Sequence, residues 1–392
     1  MSETVQTSSK KTIAVVTDDT TRSNYQQVEM LNGIAQYIIE HNNYIIEQLT
    51  ARDININTPF HNFDGIILHS SLSDALLEKI KATGLPIIDL TGEYEDDNQI
   101  ISVDSDAYKL GKIAAEWFLR RGFTNFAIFG FKDQRFDSHM NDGFTSSLRK
   151  YGYGCNILLR RPTHIPCEET ESYNRKLQEW ASELPRKTAV FCHGNNLASQ
   201  LLAICQKSGR DVPKDIAIMG AGNDVHLCTL QSTTISSVDE NMQGVGYAAM
   251  RVMAHILDHP VKPKKRRKFC VSPIGVIERG STCVYPVDPP WLANLLLVLD
   301  DNLNRNFTLP ELAKLANVSQ STLQSTFNKT FGMSAGKYMT NIKMREAKRL
   351  IEMKKFSMKE IASMLNFSSP TCFTIAYKSF YGHPPKDDKA KR

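Results

Sequence analysis

Long uninterrupted apolar runs are missing from this sequence. Stretches such as Ile66–Leu68 and Leu295–Leu299 fall far short of the ~20 residues that a membrane-spanning helix needs, so no membrane association is expected. An apolar leader is missing too: apart from Val5, Met1–Lys11 is polar or small. No secretory signal is read there, and a cytoplasmic location is expected. The eight cysteines, at 155, 167, 192, 205, 228, 270, 283 and 372, include no Cys-x-x-Cys pair and no regular spacing with histidine. That pattern argues against a disulfide framework or a zinc site, and most of the eight read as reduced, buried small hydrophobes. No phosphate loop, metal-spaced ligand set or nucleophile elbow occurs, so neither catalytic residues nor a cofactor or metal are expected.

What is present is ordinary globular composition, 41% hydrophobic and 23% charged, over 392 residues. That length predicts two or three domains. The net charge of +5 is unevenly spread: from Pro289 onward there are 16 Lys and Arg against 8 Asp and Glu, leaving +8 there and −3 on the remainder. A small basic module on a mildly acidic body is the footprint of a polyanion binder, although lysines solvated on a helical surface give a weaker version of it.

From Lys11 to about Thr282, short apolar runs alternate with helical periodicity. Strands are predicted at Thr12–Thr17, Tyr44–Leu49, Gly65–His69, Pro86–Leu90, Phe126–Phe129, Ala189–His193 and Ile216–Gly220. Helices fall at Tyr25–Glu40, Asp74–Thr83, Ala107–Arg120, His139–Tyr151, Glu171–Glu183 and Leu197–Ser208. Such alternation implies βαβ units, hence an α/β fold of parallel sheets covered on both faces, with room for two sheets and a cleft between them. The run Lys262–Lys268 carries six basic residues and reads as a solvated loop before a final strand, with a phosphate contact or a localisation tract as the alternatives. Prolines in Tyr285–Pro290 mark a linker. The expected order is an unstructured 1–10, a two-lobed sensor over 11–282, a linker over 283–290, an all-α module over 291–385 and a basic tail over 386–392.

Beyond the linker every apolar period is helical, and one design occurs twice. Thr308-Leu309-Pro310-Glu311 opens a short helix, Asn317-Val318 turns, and Ser319 caps a second helix that ends at Gly332. Ser357-Met358-Lys359-Glu360, Asn366-Phe367-Ser368 and a helix ending at Gly382 repeat it. Thr308 and Ser357 each precede a glutamate by three residues, the capping-box signature. Both units have the proportions of a helix-turn-helix. A helix over Ala335–Met353 bridges them, about 28 Å long at 1.5 Å per residue, near the ~34 Å between successive major-groove faces.

These residues resemble the AraC/XylS-type DNA-binding domain, through Leu312-Ala313, Ser319, Leu323, Phe327, Gly332, Tyr338 and Arg345-x-Ala347-x-x-Leu350, then Ile361-Ala362, Phe367-Ser368, Phe373, Tyr377-Lys378, Phe380, Gly382 and Pro384. The resemblance implies a sequence-specific regulator bound to double-stranded DNA, with RNA polymerase as a further contact. Base contacts are expected from Gln320, Ser321, Gln324 and Ser325, since Gln can pair bidentately with adenine. Thr371, Thr374 and Ile375 occupy the equivalent face of the second helix, and Lys329, Lys343, Arg345 and Lys378 suit phosphates. Two departures matter. Asn366 stands where the family usually has Gly, and Asn tolerates left-handed φ. Ile375 stands where a base-reading Arg is frequent, which shifts the second helix towards positioning rather than readout.

The body resembles the periplasmic-binding-protein-like sensor of lactose-repressor-type regulators, through Phe63-Asp64-Gly65-Ile66-Ile67, Gly84-Leu85-Pro86, Val103-x-x-Asp106, Gly143-Phe144, Val212-Pro213-x-Asp215-Ile216-Ala217 and Pro273-x-x-Val276-Ile277. That family's N-terminal DNA-binding headpiece is not found, because the first strand starts at Thr12, so DNA binding is expected from the other end. The resemblance implies a homodimer paired through Tyr25–Glu40 and Asp74–Thr83, and a sugar effector, such as a pentose, held at strand ends. Its candidate partners are Asp18, Asp19, Arg22, Asp106, His139, Asn195, Asn223 and Asn241, with Asp106 equally suited to cap the helix that follows. Met140 stands where the family commonly has a sugar-gripping Arg, with His139, Arg135 or Arg22 as substitutes. The rival expectation is a cytoplasmic sugar-binding protein whose tail no longer reads DNA.

Overall fold

The computed structural model describes residues 10–17, 24–55, 57–132, 134–161, 167–259, 267–352 and 356–390. It separates into two compact units, 1–119 with 124–282, and 283–392 with the short segment Arg120–Phe123.

In the first unit the strands β1 (Lys11–Thr17), β2 (Tyr44–Thr50), β3 (Gly65–His69), β4 (Ile87–Asp89) and β5 (Ile100–Ser105) alternate with helices α1 (Asn24–His41) and α2 (Asp74–Ala82). Helix α3 (Ala107–Arg120) leads to β6 (Asn125–Phe131), α4 (Arg135–Arg149), β7 (Asn156–Arg160), α5 (Cys167–Glu183), β8 (Thr188–Cys192), α6 (Asn195–Lys207), β9 (Ile216–Ala221), α7 (Val225–Thr229) and β10 (Ser236–Asp239). Helix α8 (Met242–Asp258), β11 (Arg267–Val271) and β12 (Gly275–Ile277) complete it.

Two six-stranded sheets result, ordered β11-β5-β4-β3-β1-β2 and β12-β10-β9-β8-β6-β7. Every pairing is parallel except β10 with β12. The continuous apolar run of β1 explains the layering. Ile13 and Val15 bury into the core beneath α1 and α8, while Ala14 and Val16 bury into the core on the opposite face with Leu76, Leu77 and Ile80 of α2. A strand covered on both faces has no polar side to show. The antiparallel edge departs from the all-parallel expectation. β12 pairs with β10 but follows β11 of the other sheet after three residues, so it enters the second sheet directly from the first and not through a βαβ unit.

Glycines set the helix spacing. A Cβ on Gly111 of α3 would lie 1.9 Å from the Met140 carbonyl of α4, and one on Gly143 would lie 1.9 Å from the Tyr108 carbonyl. Gly33 and Gly246 bring α1 and α8 equally close. Met140 is fully buried at this crossing. Helix α4 begins at Arg135, four residues before the expected start, which puts Arg135, Phe136 and Asp137 in its first turn.

The second unit holds α9 (Pro290–Asp301), α10 (Leu309–Leu315), α11 (Gln320–Phe331), α12 (Ala335–Glu352), α13 (Met358–Met364), α14 (Pro370–Tyr381) and α15 (Pro385–Ala390). Both capping boxes form: Thr308 and Ser357 accept from the amides of Glu311 and Glu360, whose carboxylates accept from the cap amides at 2.7 Å. Helix α12 serves two cores, giving Tyr338 and Ile342 to the first repeat and Met344, Ala347, Leu350 and Ile351 to the second. The expected basic tail over 386–392 is corrected in part. Residues 385–390 are helical, with Pro385 at the start, and buried Asp388 accepts from Tyr377 at 2.6 Å and pairs with His383 at 2.8 Å. Residues 391–392 lie outside the described residues, as do 1–9 of the expected unstructured start.

These contacts predict opposite outcomes for two glycine substitutions. Gly143→Ala forces α3 and α4 apart and should cost about 1–3 kcal/mol or more. Gly336→Ala in α12 meets open space and should be neutral or stabilise by up to about 1 kcal/mol. Thermal unfolding of the full chain checks both.

Candidate effector cleft and nucleic-acid interface

The chain passes between the two sheets three times, at Ser105-Asp106, at Asp239–Asn241 and at Ser272–Ile274, and the crossings are bonded to one another. Ser105 Oγ donates to the Glu240 carbonyl at 2.7 Å, and the Asp106 amide to the Val271 carbonyl at 2.8 Å. The Ile274 amide donates to the Asp239 carbonyl at 3.0 Å, and Asn241 Nδ2 to the Ser272 carbonyl at 3.0 Å. The carboxyl ends of the strands in both sheets face the cleft beside these crossings, the usual place for a ligand in such sheets.

A cavity of about 320 Å³ opens there, lined among others by Asp104, Asp106, Arg135, Phe136, His139 and Lys268. Glu95 at its edge is paired with Lys268 and, at 3.0 Å, with Arg135. Burial pushes the Glu95 carboxyl up, but those two cations outweigh it and hold the group below its ordinary range. Arg135 is also paired with Asp96, so this one of the three expected substitutes for a sugar-gripping Arg is already engaged by the protein.

Deeper in, Glu240, Asp104 and Asp89 form no salt bridge with a lysine or arginine among the described residues. Burial, then the nearby Asp104, Asp137 and Asp239, push Glu240 up to about 8. Burial is also the main cause that takes Asp104 to about 7 and raises Asp89. Removing a carboxylate from water without a compensating charge favours its neutral form. Glu240 Oε2 accepts from Gln26 at 2.8 Å, and Gly222, at φ 97°, leaves the space that Glu240, Gln26 and Asn195 approach.

Asp106 lines the cavity while its Oδ1 accepts from the Lys109 amide at 2.9 Å, so it caps α3 as well. His139 lines the same cavity. Asn195 donates to Ser237 Oγ at 2.9 Å and accepts from the Asp224 amide at 2.8 Å. Asn223 donates to Asp239 at 3.0 Å and accepts from Arg279 at 2.7 Å. Asn241, at φ 63°, caps α8 and ties down the third crossing. Asn241 stands on a crossing, Asn223 is bonded to Asp239 of the same crossing, and Asn195 is bonded to Ser237 of β10, all three with their side chains engaged by the protein. Asp18, Asp19 and Arg22 lie outside the described residues.

Sequence reasoning missed Asp104, Asp137, Glu240 and His193. The signal was weak: Asp104 and Glu240 each adjoin a residue at a strand end, and Asp137 shares the first turn of α4 with Arg135.

In the second unit, Gln320, Ser321, Gln324, Ser325 and Lys329 are exposed on α11, and Thr371, Ile375 and Lys378 on α14, where Ile375 is 64% exposed. Thr374 donates to its own helix at Pro370, and Ser325 to Thr322. The turns are held by Asn317 and Asn366 at φ 51° and 53°, a left-handed conformation that Asn tolerates. Arg345 is half-buried on α12. Lys343, expected to meet phosphate, is instead buried, donating to Asn306 at 2.7 Å and to the Leu365 carbonyl at 2.9 Å. Its long stem reaches inward, where two acceptors need a donor.

Residues 102–282 match the periplasmic binding protein-like domain and residues 312–391 a helix-turn-helix domain. The Xylose operon regulatory protein of Escherichia coli K12 is 22% identical over 370 residues, covering 92% of both chains. The protein of the same name from Haemophilus influenzae is 20% identical over 374 residues, covering 92% of this chain and 94% of that one. Among solved structures, a xylose-binding transcription activator superposes with TM-score 0.61 at 19% identity, covering 97% of this chain and 98% of the other. A LacI family transcriptional regulator from Enterococcus faecium with bound ribose gives TM-score 0.55 at 20% identity, over 71% of this chain and all of that one. The chain therefore joins a periplasmic-binding-protein-like sensor domain to an AraC-type helix-turn-helix domain.

Proposed function

We propose that this protein is a sequence-specific transcription regulator that reads double-stranded DNA through its C-terminal domain and is controlled by a sugar in its cleft. The observation that carries the reading is the duplicated helix-turn-helix, with two exposed helix faces supported by one connector that belongs to both cores. Full-length similarity to regulators of a xylose operon supports the sugar effector.

Helix α11 supplies base contacts through Gln320, Ser321, Gln324 and Ser325, and α14 serves mainly to position. The exposed Ile375 has no donor or acceptor for a base edge and offers only a surface for a thymine methyl. Lys329 and Lys378 meet phosphates. Asp106 and His139 face the effector, while Asn195, Asn223 and Asn241 hold the crossings whose geometry changes as the cleft closes. The protein acts as a homodimer in the cytoplasm, pairing through α1 and α2. Ile39 of α1, 81% exposed, supports that surface. Closure shifts the population of dimer arrangements and thereby the DNA affinity, with RNA polymerase as a downstream contact. Among the described residues no helix is long and apolar enough to cross a membrane.

Binding of the full chain to duplexes from its own upstream region, against scrambled duplex, tests the reading. Specific sites should be favoured by ~10³ or more, and equal affinity for both overturns it. Gln324→Ala should cost roughly 1–3 kcal/mol of discrimination at one base position. Lys329→Ala should weaken binding to every sequence and reduce the log-salt slope by about one. Sedimentation should find a dimer at micromolar concentration, and a monomer alone contradicts the pairing.

A further inference from the structure

Where α12 passes from one core of the second unit to the other, it carries a charge. Ile342 packs into the first core and Met344 into the second. Between them stands Lys343, 6% exposed. Its ammonium group donates to two neutral acceptors, Asn306 Oδ1 at 2.7 Å and the Leu365 carbonyl at 2.9 Å. Asn306 in turn donates through Nδ2 to the Asn366 carbonyl at 3.1 Å. Asn306 belongs to the approach of the first repeat, just before the cap Thr308, whereas Leu365 and Asn366 form the turn of the second. Three hydrogen bonds thus join the entry of one helix-turn-helix to the turn of the other.

The turn does not need these bonds in order to form. Ala316 and Asn317 hold the same places in the first repeat, a helix C-cap followed by a left-handed Asn. There the amides of Asn317 and Val318 donate to the carbonyls of Lys314 and Ala313, just as those of Asn366 and Phe367 donate to Ser363 and Ala362. Yet the carbonyls of Ala316 and Asn317 accept from no side chain among the described residues. The bonds of Lys343 and Asn306 are therefore extra to the motif.

Apolar packing supplies little of what they add. It is non-directional, so two cores on one helix hold the repeats together more firmly than they fix the roll of one against the other. Leu303, which packs against both cores, contributes in the same unspecific way. Hydrogen bonds from a buried ammonium are short and directional. Burying that charge costs desolvation which an apolar side chain of similar volume avoids, so its use lies in register more than in stability. Helix α14 follows directly from the turn that Lys343 holds.

We propose that Lys343, with Asn306, is a positioning residue for DNA reading: it fixes the roll of the second repeat so that α14 meets the phosphate backbone while α11 sits in the groove. This rests on the DNA-reading function above and gives a role to a lysine that the sequence suggests for a phosphate contact.

A double-mutant cycle on the full chain tests it. The probe is the shortest duplex from the protein's own upstream region that is preferred over scrambled duplex. Lys378 of α14 and Lys329 of α11, both exposed, report on the two repeats separately. In the parent chain, Lys378→Ala and Lys329→Ala should each weaken binding about threefold or more. In the Lys343→Met and Asn306→Ala backgrounds, the Lys378→Ala loss should shrink to about 1.5-fold or less while the Lys329→Ala loss is unchanged. Lys343→Arg keeps the donors and should keep the Lys378→Ala loss. Asn306 is exposed, so Asn306→Ala decides the matter alone should Lys343→Met unfold the domain. An undiminished Lys378→Ala loss in these backgrounds, or equal shrinkage of both lysines' losses, overturns the inference and leaves DNA reading standing. A Lys378→Ala variant that binds as the parent does also overturns it, since α14 then has no backbone contact to be placed for. If the parent chain prefers no duplex, the DNA-reading function falls and takes the inference with it.

Discussion

The hydrogen bonds that tie three chain crossings to one another are the constraint on which the cleft of the first unit depends. Ser105, Glu240, Asn241 and Ser272 bind the crossings into one knot, and the same knot brings Asp104 and Glu240 into the protein interior. Burying such groups without cations opposes folding. A cleft built this way is held by backbone hydrogen bonds, by the two cores of the first sheet and by bonds among its own polar side chains.

The second unit rests on a different economy of parts. One helix, α12, closes two separate cores, so the two exposed helices α11 and α14 are set by a single rigid body. Each repeat is punctuated identically, by a capping box at its start, a left-handed Asn in its turn and a left-handed Gly at its end. Local chemistry at these caps and turns thus agrees with the packing of the two cores.

What the sequence disclosed follows the range of the forces involved. Capping boxes and the Asn turns are set by residues three or four apart and were legible from side-chain chemistry alone. The buried strands Lys11–Thr17 and Gly65–His69 were legible because a strand covered on both faces is apolar throughout. β11 was expected only as a strand without bounds after the basic run, since its Phe269 and Cys270 are exposed and its neighbours are basic. α15 was missed because Lys386, Asp387, Asp388 and Lys389 read as a solvated run, while Asp388 in fact turns inward to Tyr377. Asn195, Asn223 and Asn241 drew notice as polar residues at strand ends. The buried Asp137 and Glu240 did not, because their neighbours His193 and Gln26 lie far away in the chain.

The account joins two sites through one chain, and thermodynamic reciprocity tests that union most directly. The affinity of the full chain for its effector should be measured with and without saturating specific duplex, beside its affinity for the duplex with and without saturating effector. The account predicts the same factor in both directions, of the order of 5–150-fold for a typical coupling. Effector affinity unchanged by specific DNA would contradict it.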